Sequence, residues 1–295
     1  MAENVDSLFR LPQRQANDHK GTYGTAVLVA GSLGMAGAAA LCARAALLSG
    51  TGLIRLLTAK TIVPIVAGSI PDVMTASLPA DRKGKIALAA LDQIHCHLLK
   101  ANALGIGPGL GQSLGLERLI ERLFVEQSLP AVFDADALNL LAARHFFDRS
   151  ILSLAAPRVL TPHPGEFARL TGRPTPSDKT GRAEEARNFV NRFRVEGAPL
   201  ILVLKGAGTI ITDGNHLVVN STGNPGMAVG GSGDVLTGII TALLARGIEP
   251  FKAAAFAVAL HGTAGDLAAR SLGMESVTAS SLLDYLPKAF LHYQQ

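Results

Sequence analysis

The sequence predicts an α/β fold, a three-layer α/β/α sandwich around a mostly parallel central sheet, in one domain over residues 1–295. Short apolar runs of strand length alternate with longer stretches of helical period. Glycine-rich turns follow several of those runs, and ligands of such sheets gather at the carboxyl ends of the strands. Of the 295 residues 48% are apolar, enough for a large core, and no linker, low-complexity stretch or internal repeat divides the chain.

Residues 1–20 are polar and mixed in charge; they read as a short helix or arm with no apolar signal-peptide core. Residues 25–30 read as a buried strand, 31–37 as a glycine-rich turn, 38–49 as a helix of small residues and 52–58 as the next strand. Together they make a βαβ unit. The pattern recurs. Residues 101–106 are a strand ending in Gly107-Pro108-Gly109-Leu110-Gly111, and 114–127 a helix. Residues 131–134 are a strand ending in acid, 137–143 a helix, and 158–161 a strand running into Pro162-His163-Pro164-Gly165-Glu166, with helical residues at 167–170. A helix over about 181–196 leads to a strand at 200–204 and the loop Lys205-Gly206-Ala207-Gly208-Thr209. Residues 210–213 and 216–220 flank Asp213-Gly214-Asn215 as a hairpin. Helices dominate from Val235 onward, over 235–245 and finally 280–293.

Composition removes several function classes. Trp is absent and aromatics are 5%, which argues against stacking platforms for single-stranded nucleic acid. A net charge of +4 with dispersed Lys and Arg suits an anionic small substrate without making a nucleic-acid footprint. Cys42 and Cys96 are the only cysteines, so there is no disulfide framework, and Cys42 reads as a small buried hydrophobe. No apolar run approaches the length that crosses a bilayer. The expectation is a soluble cytoplasmic enzyme with no membrane partner, and the apolar composition points to a homotetramer or larger. His95 and His97 flank Cys96, but helical spacing sends the two rings to different faces, so the cluster reads as non-metal.

The most informative stretch is Gly230-Gly231-Ser232-Gly233-Asp234 before an apolar helix. A helix start offers unpartnered N–H groups and the positive end of the dipole. Glycines there let an anion approach the backbone, so Gly230, Gly231, Ser232 and Gly233 form a candidate phosphate cradle. A carboxylate repels phosphate, so Asp234 suits a different role, accepting the proton of a hydroxyl that attacks phosphorus. The plain structural reading of Asp234 is a helix N-cap. The run lacks the Gly-Lys-Ser/Thr ending of a Walker A loop. The turn over 31–37 has Gly-x-x-Gly-x-x-Gly spacing and no acid after the next strand, which argues against a dinucleotide fingerprint.

Gly231-Ser232-Gly233-Asp234 resembles the anion hole and catalytic aspartate of the ribokinase-like superfamily. The longer run from Gly223-Asn224-Pro225-Gly226-Met227-Ala228 to Asp234-Val235-Leu236 resembles one branch closely, the ADP/ATP-dependent NAD(P)H-hydrate dehydratases. Ser232 stands where Thr is usual and Val229 where a small polar residue is common. Matching motifs extend from His19-Lys20-Gly21-Thr22-Tyr23-Gly24 to Leu236.

The resemblance implies a ribokinase-like fold and site roles. Asp234 would be the catalytic base and a substrate contact, with Gly231, Ser232 and Gly233 as the anion hole. Ala38, Ala39, Gly109 and His163 would bind the hydrated dinucleotide; Lys205, Gly206, Ala207, Gly208, Thr209 and Gly233 would bind the nucleotide. On the residues alone, Gly107-Pro108-Gly109-Leu110-Gly111 is equally a plain turn, and Lys205 equally a solvated lysine before a turn. Asp134 and Asp136 are a pair that could hold Mg²⁺ through water, but Asp136 before Ala137 reads better as an N-cap. Glu166 either binds water near Mg²⁺ or caps the helix at 167–170. No direct metal ligand is expected; Mg²⁺ arrives with ADP or ATP. The implied activity is repair of NADHX and NADPHX, the nicotinamide cofactors hydrated at C6, with a separate epimerase as a working partner. Two alternatives stay open: a kinase of a vitamin-precursor alcohol, and a non-catalytic adenine-nucleotide sensor.

Overall fold

The computed structural model describes residue 11 and residues 13–148, 154–192 and 198–293. The strands are β1 (Thr25–Val29), β2 (Leu53–Ala59), β3 (Met74–Leu78), β4 (Ala103–Ile106), β5 (Ala131–Phe133), β6 (Arg158–Leu160), β7 (Leu200–Leu204), β8 (Ile210–Thr212) and β9 (Leu217–Val219). The helices are α1 (Ala36–Leu48), α2 (Val63–Ser69), α3 (Leu91–Leu98), α4 (Leu114–Glu126), α5 (Asp136–Ala143), α6 (Pro164–Thr171), α7 (Lys179–Arg192), α8 (Ser232–Ala245), α9 (Pro250–Leu272) and α10 (Ala279–His292). The strands form one sheet in the order β3-β2-β1-β4-β5-β6-β7-β8-β9. Pairing is parallel from β3 through β7 and antiparallel for β8 and β9 at the edge.

Both faces of the sheet are covered, which explains why the strands read as nearly continuous apolar runs. Successive side chains alternate between two cores. Ala26 and Leu28 of β1 join the core under α1, α8, α9 and α10, while Val27 and Val29 join the core under α3 to α7. Arg158 is fully buried in β6, and no acid pairs with it among the described residues. Its guanidinium donates to the carbonyls of Phe124, Gln127, Leu129, Ala156 and Pro157, which offsets the cost of burying the charge. Burial pushes its pKa down to about 10.

The expected alternation is present, with corrections at the ends and in one gap. Residues 59–100, for which no element was expected, contain α2, β3 and α3. β3 is the edge strand and half-exposed, so it lacks a clear apolar alternation, and α2 carries Pro64 in its first turn and Gly68 near its end. The helix expected at 167–170 starts earlier, at Pro164, and the one expected at 235 starts at Ser232. Residues 1–10 and 12 of the expected N-terminal arm, and 193–196 of the expected helix over 181–196, lie outside the described residues. Among the described residues no helix is long and apolar enough to cross a membrane.

Candidate active site

A cavity of about 700 Å³ opens at the carboxyl ends of β5, β6 and β7, against the N-terminus of α8. Its walls include Asp134, His163, the Lys205–Thr209 loop, the 220–225 loop, and Ser232, Gly233 and Asp234. Segments far apart in sequence meet here because most of them follow strands of the same sheet at its carboxyl edge.

The start of α8 corrects the cap reading of Asp234. The N-cap is Gly231, at φ 89° and ψ −13°, with no side-chain capping bond. The backbone angle at Gly231 favours glycine, and an added Cβ would in addition displace Leu41 Cδ1 of α1, which it would meet at 2.6 Å. Asp234 is therefore the third helical residue. Val235 is the residue whose N–H returns to the Gly231 carbonyl, and Ser232 N–H reaches Val229 O only at 3.4 Å. The N–H groups of Gly233 and Asp234 belong to the open end of the helix.

Lys205 is not a solvated lysine. Its Nζ donates to Asp134 Oδ1 at 2.8 Å and lies 3.8 Å from Glu166 Oε2. A Cβ on Gly233 would stand 3.3 Å from that Nζ, so the ammonium sits directly beneath the helix entrance. Asp134 is buried, and its Oδ2 accepts from Thr237 Oγ1 at 2.6 Å. Burial alone would lower the pKa of Lys205, but the facing carboxylates of Asp134, Glu166 and Asp234 hold it above the ordinary value. Asp234 shows the opposite balance. Burial and then the Asp134 charge push its carboxyl up to about 7; Lys205 opposes them, and Asp136 and Glu166 add smaller repulsions.

His163 and Glu166 form a reciprocal cap on α6. His163 Nδ1 accepts from Gly165 N at 3.0 Å and Glu166 N at 3.3 Å, while His163 N donates to Glu166 Oε2 at 2.8 Å. Glu166 is thus the third residue of the helix, and its carboxylate caps it from within by accepting from the N-cap residue. With Nδ1 accepting, the ring presents Nε2–H, which lies 3.4 Å from Glu166 Oε1.

The loop after β7 is held from behind by a residue that sequence reasoning missed. Arg182 on α7 donates to the carbonyls of Leu204, Lys205 and Ala207. Gly206 and Gly208 have φ of 138° and 67°, angles that favour glycine.

Ala38, Ala39 and Gly109 do not line this cavity. They lie at the switch between β1 and β4, where the strand order reverses. Ser32 Oγ donates to Gly109 O at 2.8 Å, Gly31 N donates to Pro108 O at 2.8 Å, and a Cβ on Gly109 would meet Ala38 Cβ at 3.0 Å. Ala39 is fully buried. Asp136 links this region to the cavity. It is the first residue of α5 and not the expected cap: Ala135 is the N-cap, and Asp136 Oδ2 accepts from Gly111 N at 2.7 Å. Ala135 lines the cavity at φ 49° and ψ −117°, a strained angle for a residue with a Cβ.

A segment of α9 was also missed. His261 lines the cavity beside Ser232, and Asp266 accepts from Gly223 N and Asn224 Nδ2, both at 2.9 Å. The available signal was His261-Gly262-Thr263-Ala264-Gly265-Asp266: two glycines within one helix, costly for helix formation unless a neighbour needs the space.

The acids here have little capacity for a resident metal. Both oxygens of Asp134 are bonded to side chains, Asp136 holds Gly111 N, and Glu166 holds His163 N. Such a donor set leaves any divalent cation to be held mainly by the phosphates of a bound nucleotide.

A family model described as NAD(P)H-hydrate dehydratase matches residues 26–288. The bifunctional NAD(P)H-hydrate repair enzyme of Moorella thermoacetica is 43% identical over 280 residues, 94% of this chain and 51% of that one. The ADP-dependent (S)-NAD(P)H-hydrate dehydratase of Bacillus subtilis is 35% identical over 286 residues, 96% of this chain and 95% of that one. The chain thus spans about half the length of the bifunctional relatives it matches, and nearly all of the Bacillus protein. The crystal structure of the Bacillus ADP/ATP-dependent dehydratase, co-crystallised with ATP/Mg²⁺, matches with a TM-score of 0.80 at 31% identity, covering 98% of this chain and 96% of that one. The ribokinase-like sandwich expected from the motifs is the fold the two share. The match across β1 to α10, at this identity and on this sheet, places the chain in the NAD(P)H-hydrate dehydratase family.

Proposed function

We propose that this chain returns the S forms of NADHX and NADPHX to NADH and NADPH, at the expense of ADP or ATP. Hydroxide is a poor leaving group and phosphate a good one. The C6 hydroxyl attacks the terminal phosphorus of the nucleotide, releasing AMP from ADP or ADP from ATP. The C6–O bond then breaks with both electrons going to phosphate, driven by the lone pair of the ring nitrogen, and loss of the neighbouring proton restores the dihydropyridine. A separate epimerase would supply the S form from its C6 epimer, and both reactions belong to the cytoplasm.

The observation that carries this reading is Asp234 at the open end of α8, with a carboxyl pushed up to about 7. A base is most useful when its pKa lies near the working pH. The hydroxyl proton passes to Asp234. The N–H groups at the α8 entrance, within Gly231, Ser232 and Gly233, stabilise the charge on the phosphoryl group. Lys205, beneath Gly233, adds positive charge to the same point. The loop from Lys205 to Thr209 holds the nucleotide, while His163, Ala38 and Gly109 hold the hydrated dinucleotide and Ala39, fully buried, packs the helix behind them. Mg²⁺, when bound with the nucleotide, neutralises its phosphates.

The test is to incubate hydrated NADH with Mg²⁺ and either ADP or ATP, and to follow the return of the dihydronicotinamide absorbance together with release of phosphate. A phosphorylated alcohol that accumulates without that absorbance would favour the kinase reading instead.

A further inference from the structure

His261 is half-buried in α9. Its ring borders the cleft, and its Nε2 lies 3.3 Å from Ser232 Oγ, 29 residues away. Its neighbours on the same helix are fitted to the same site. A Cβ on Gly262 would collide with Thr222 Oγ1, one on Gly265 would collide with Met227 Sδ, and Asp266 holds Gly223 and Asn224. This turn of α9 is thus a template for the loop before α8 and for the entrance of α8 itself.

We propose that His261 is a positioning residue of the phosphoryl site: its Nε2–H donates to Ser232 Oγ, and the Ser232 hydroxyl proton is thereby turned into the cleft toward a phosphoryl oxygen. The proposal rests on the functional reading above for the identity of the alcohol, but not for the presence of an anion.

A serine hydroxyl has one proton and two lone pairs, and a neutral imidazole has one donor and one acceptor nitrogen. If Nε2 accepted, it would use the only hydroxyl proton, and Oγ would face phosphate with lone pairs alone. If Nε2 donates, the lone pair on Oγ is used and the proton stays available. The ring remains neutral because burial lowers its pKa to about 4; the Ser232 backbone, which favours a proton on the ring, offsets this only in part, and the Lys205 charge pushes the same way as burial. Lys205 serves the same anion from below, so a charged His261 would add a second cation to a partly desolvated site where one already stands.

The experiment combines ¹⁵N NMR of the histidine rings with kinetics of four variants. At neutral pH His261 should be the Nε2–H tautomer; an Nδ1–H tautomer overturns the proposal. His261→Phe and Ser232→Ala should each lower kcat by about 10–100-fold with little change in KM, below the full value of an oxyanion-hole donor because the backbone donors remain. The double variant should lose no more than the worse single one. His261→Gln, whose amide N–H can replace Nε2–H, should recover most of the loss. Multiplying losses in the double variant, or a Gln variant as poor as Phe, would show a merely structural role. Should His261→Phe fail to fold, the tautomer and the Gln variant still decide. If the wild-type protein does not dehydrate NADHX at all, the functional reading falls. His261 is then judged by binding of AMP with fluoroaluminate, where the same non-additive pattern is expected and additive losses would overturn it.

Discussion

Asp134 Oδ1 lies 2.8 Å from Lys205 Nζ, and this pair, formed across 71 residues of sequence, sets the charge that Asp234 meets. Asp134 repels the ionised Asp234 and Lys205 attracts it. The two partners therefore tune the proposed base in opposite directions. Asp134→Asn should move the acid limb of the kcat–pH profile below its wild-type position near pH 7, and Lys205→Met should move it above. Lys205→Met should also lower stability, by about 3–5 kcal/mol, because it leaves Asp134 buried without its cation. Limbs that move together in the two variants, or that do not move, would remove this pair from control of Asp234.

Much of this site was legible in the sequence, for a physical reason. Glycine loops and a lone acid after a strand carry backbone requirements that are local, and Lys205 to Thr209 and Gly230 to Asp234 are strings of such requirements. The contacts that hold them are not local. Arg182 reaches the loop after β7 from a helix whose pattern shows only ordinary charge, and His261 looks like a core histidine until Ser232 is beside it. The cap readings of Asp234 and Asp136 failed together, whereas Glu166 does cap its helix, from within the first turn. In all three helices a different residue occupies the N-cap position: Gly231, Ala135 and His163. The acid then lies inside the first turn, where it suits the dipole as well as a cap would. Composition distinguishes those two placements poorly, because they differ by fractions of a turn.

Arg182 should matter to nucleotide binding without touching the nucleotide. Its guanidinium holds the carbonyls of Leu204, Lys205 and Ala207, so Arg182→Met leaves those groups to find other partners and loosens the loop. The expected outcome is about tenfold weaker ADP or ATP binding by calorimetry, with KM for the hydrate little changed. An equal loss in both affinities would indicate general unfolding of the cleft.

His163 has two roles that two variants separate. As the cap of α6 its Nδ1 accepts from two backbone N–H groups, a function that Asn fills and Ala does not. His163→Ala should cost about 1 kcal/mol of stability, and His163→Asn much less. If His163 also contacts the hydrate, both variants should raise KM by a similar factor, with kcat lowered less. A KM that tracks the melting temperature across the pair would reduce His163 to a cap.

Asp234→Asn is the sharpest case, because stability and rate should move in opposite directions. The folded protein raises the Asp234 pKa from 3.8 to about 7, so between those values the native state binds a proton that the unfolded chain releases. Stability contributed by this group is therefore intact below about pH 4 and falls as pH rises through the window, at up to about 1.4 kcal/mol per pH unit. Asn never carries the charge, so the variant should be the more stable protein near pH 8, by at most about 4 kcal/mol, and equal to wild type near pH 4. Loss of the favourable carboxylate–dipole contact subtracts about 0.3–1 kcal/mol, too little to reverse the sign. Turnover should fall by about 10²–10⁴, since Asn cannot take the hydroxyl proton. Nucleotide affinity should hold or rise, with a negative charge removed from beside the phosphates. Melting curves at both pH values and one turnover measurement suffice. A variant that is less stable than wild type near pH 8, or one that keeps near-normal turnover, would show that Asp234 serves the helix and not the reaction.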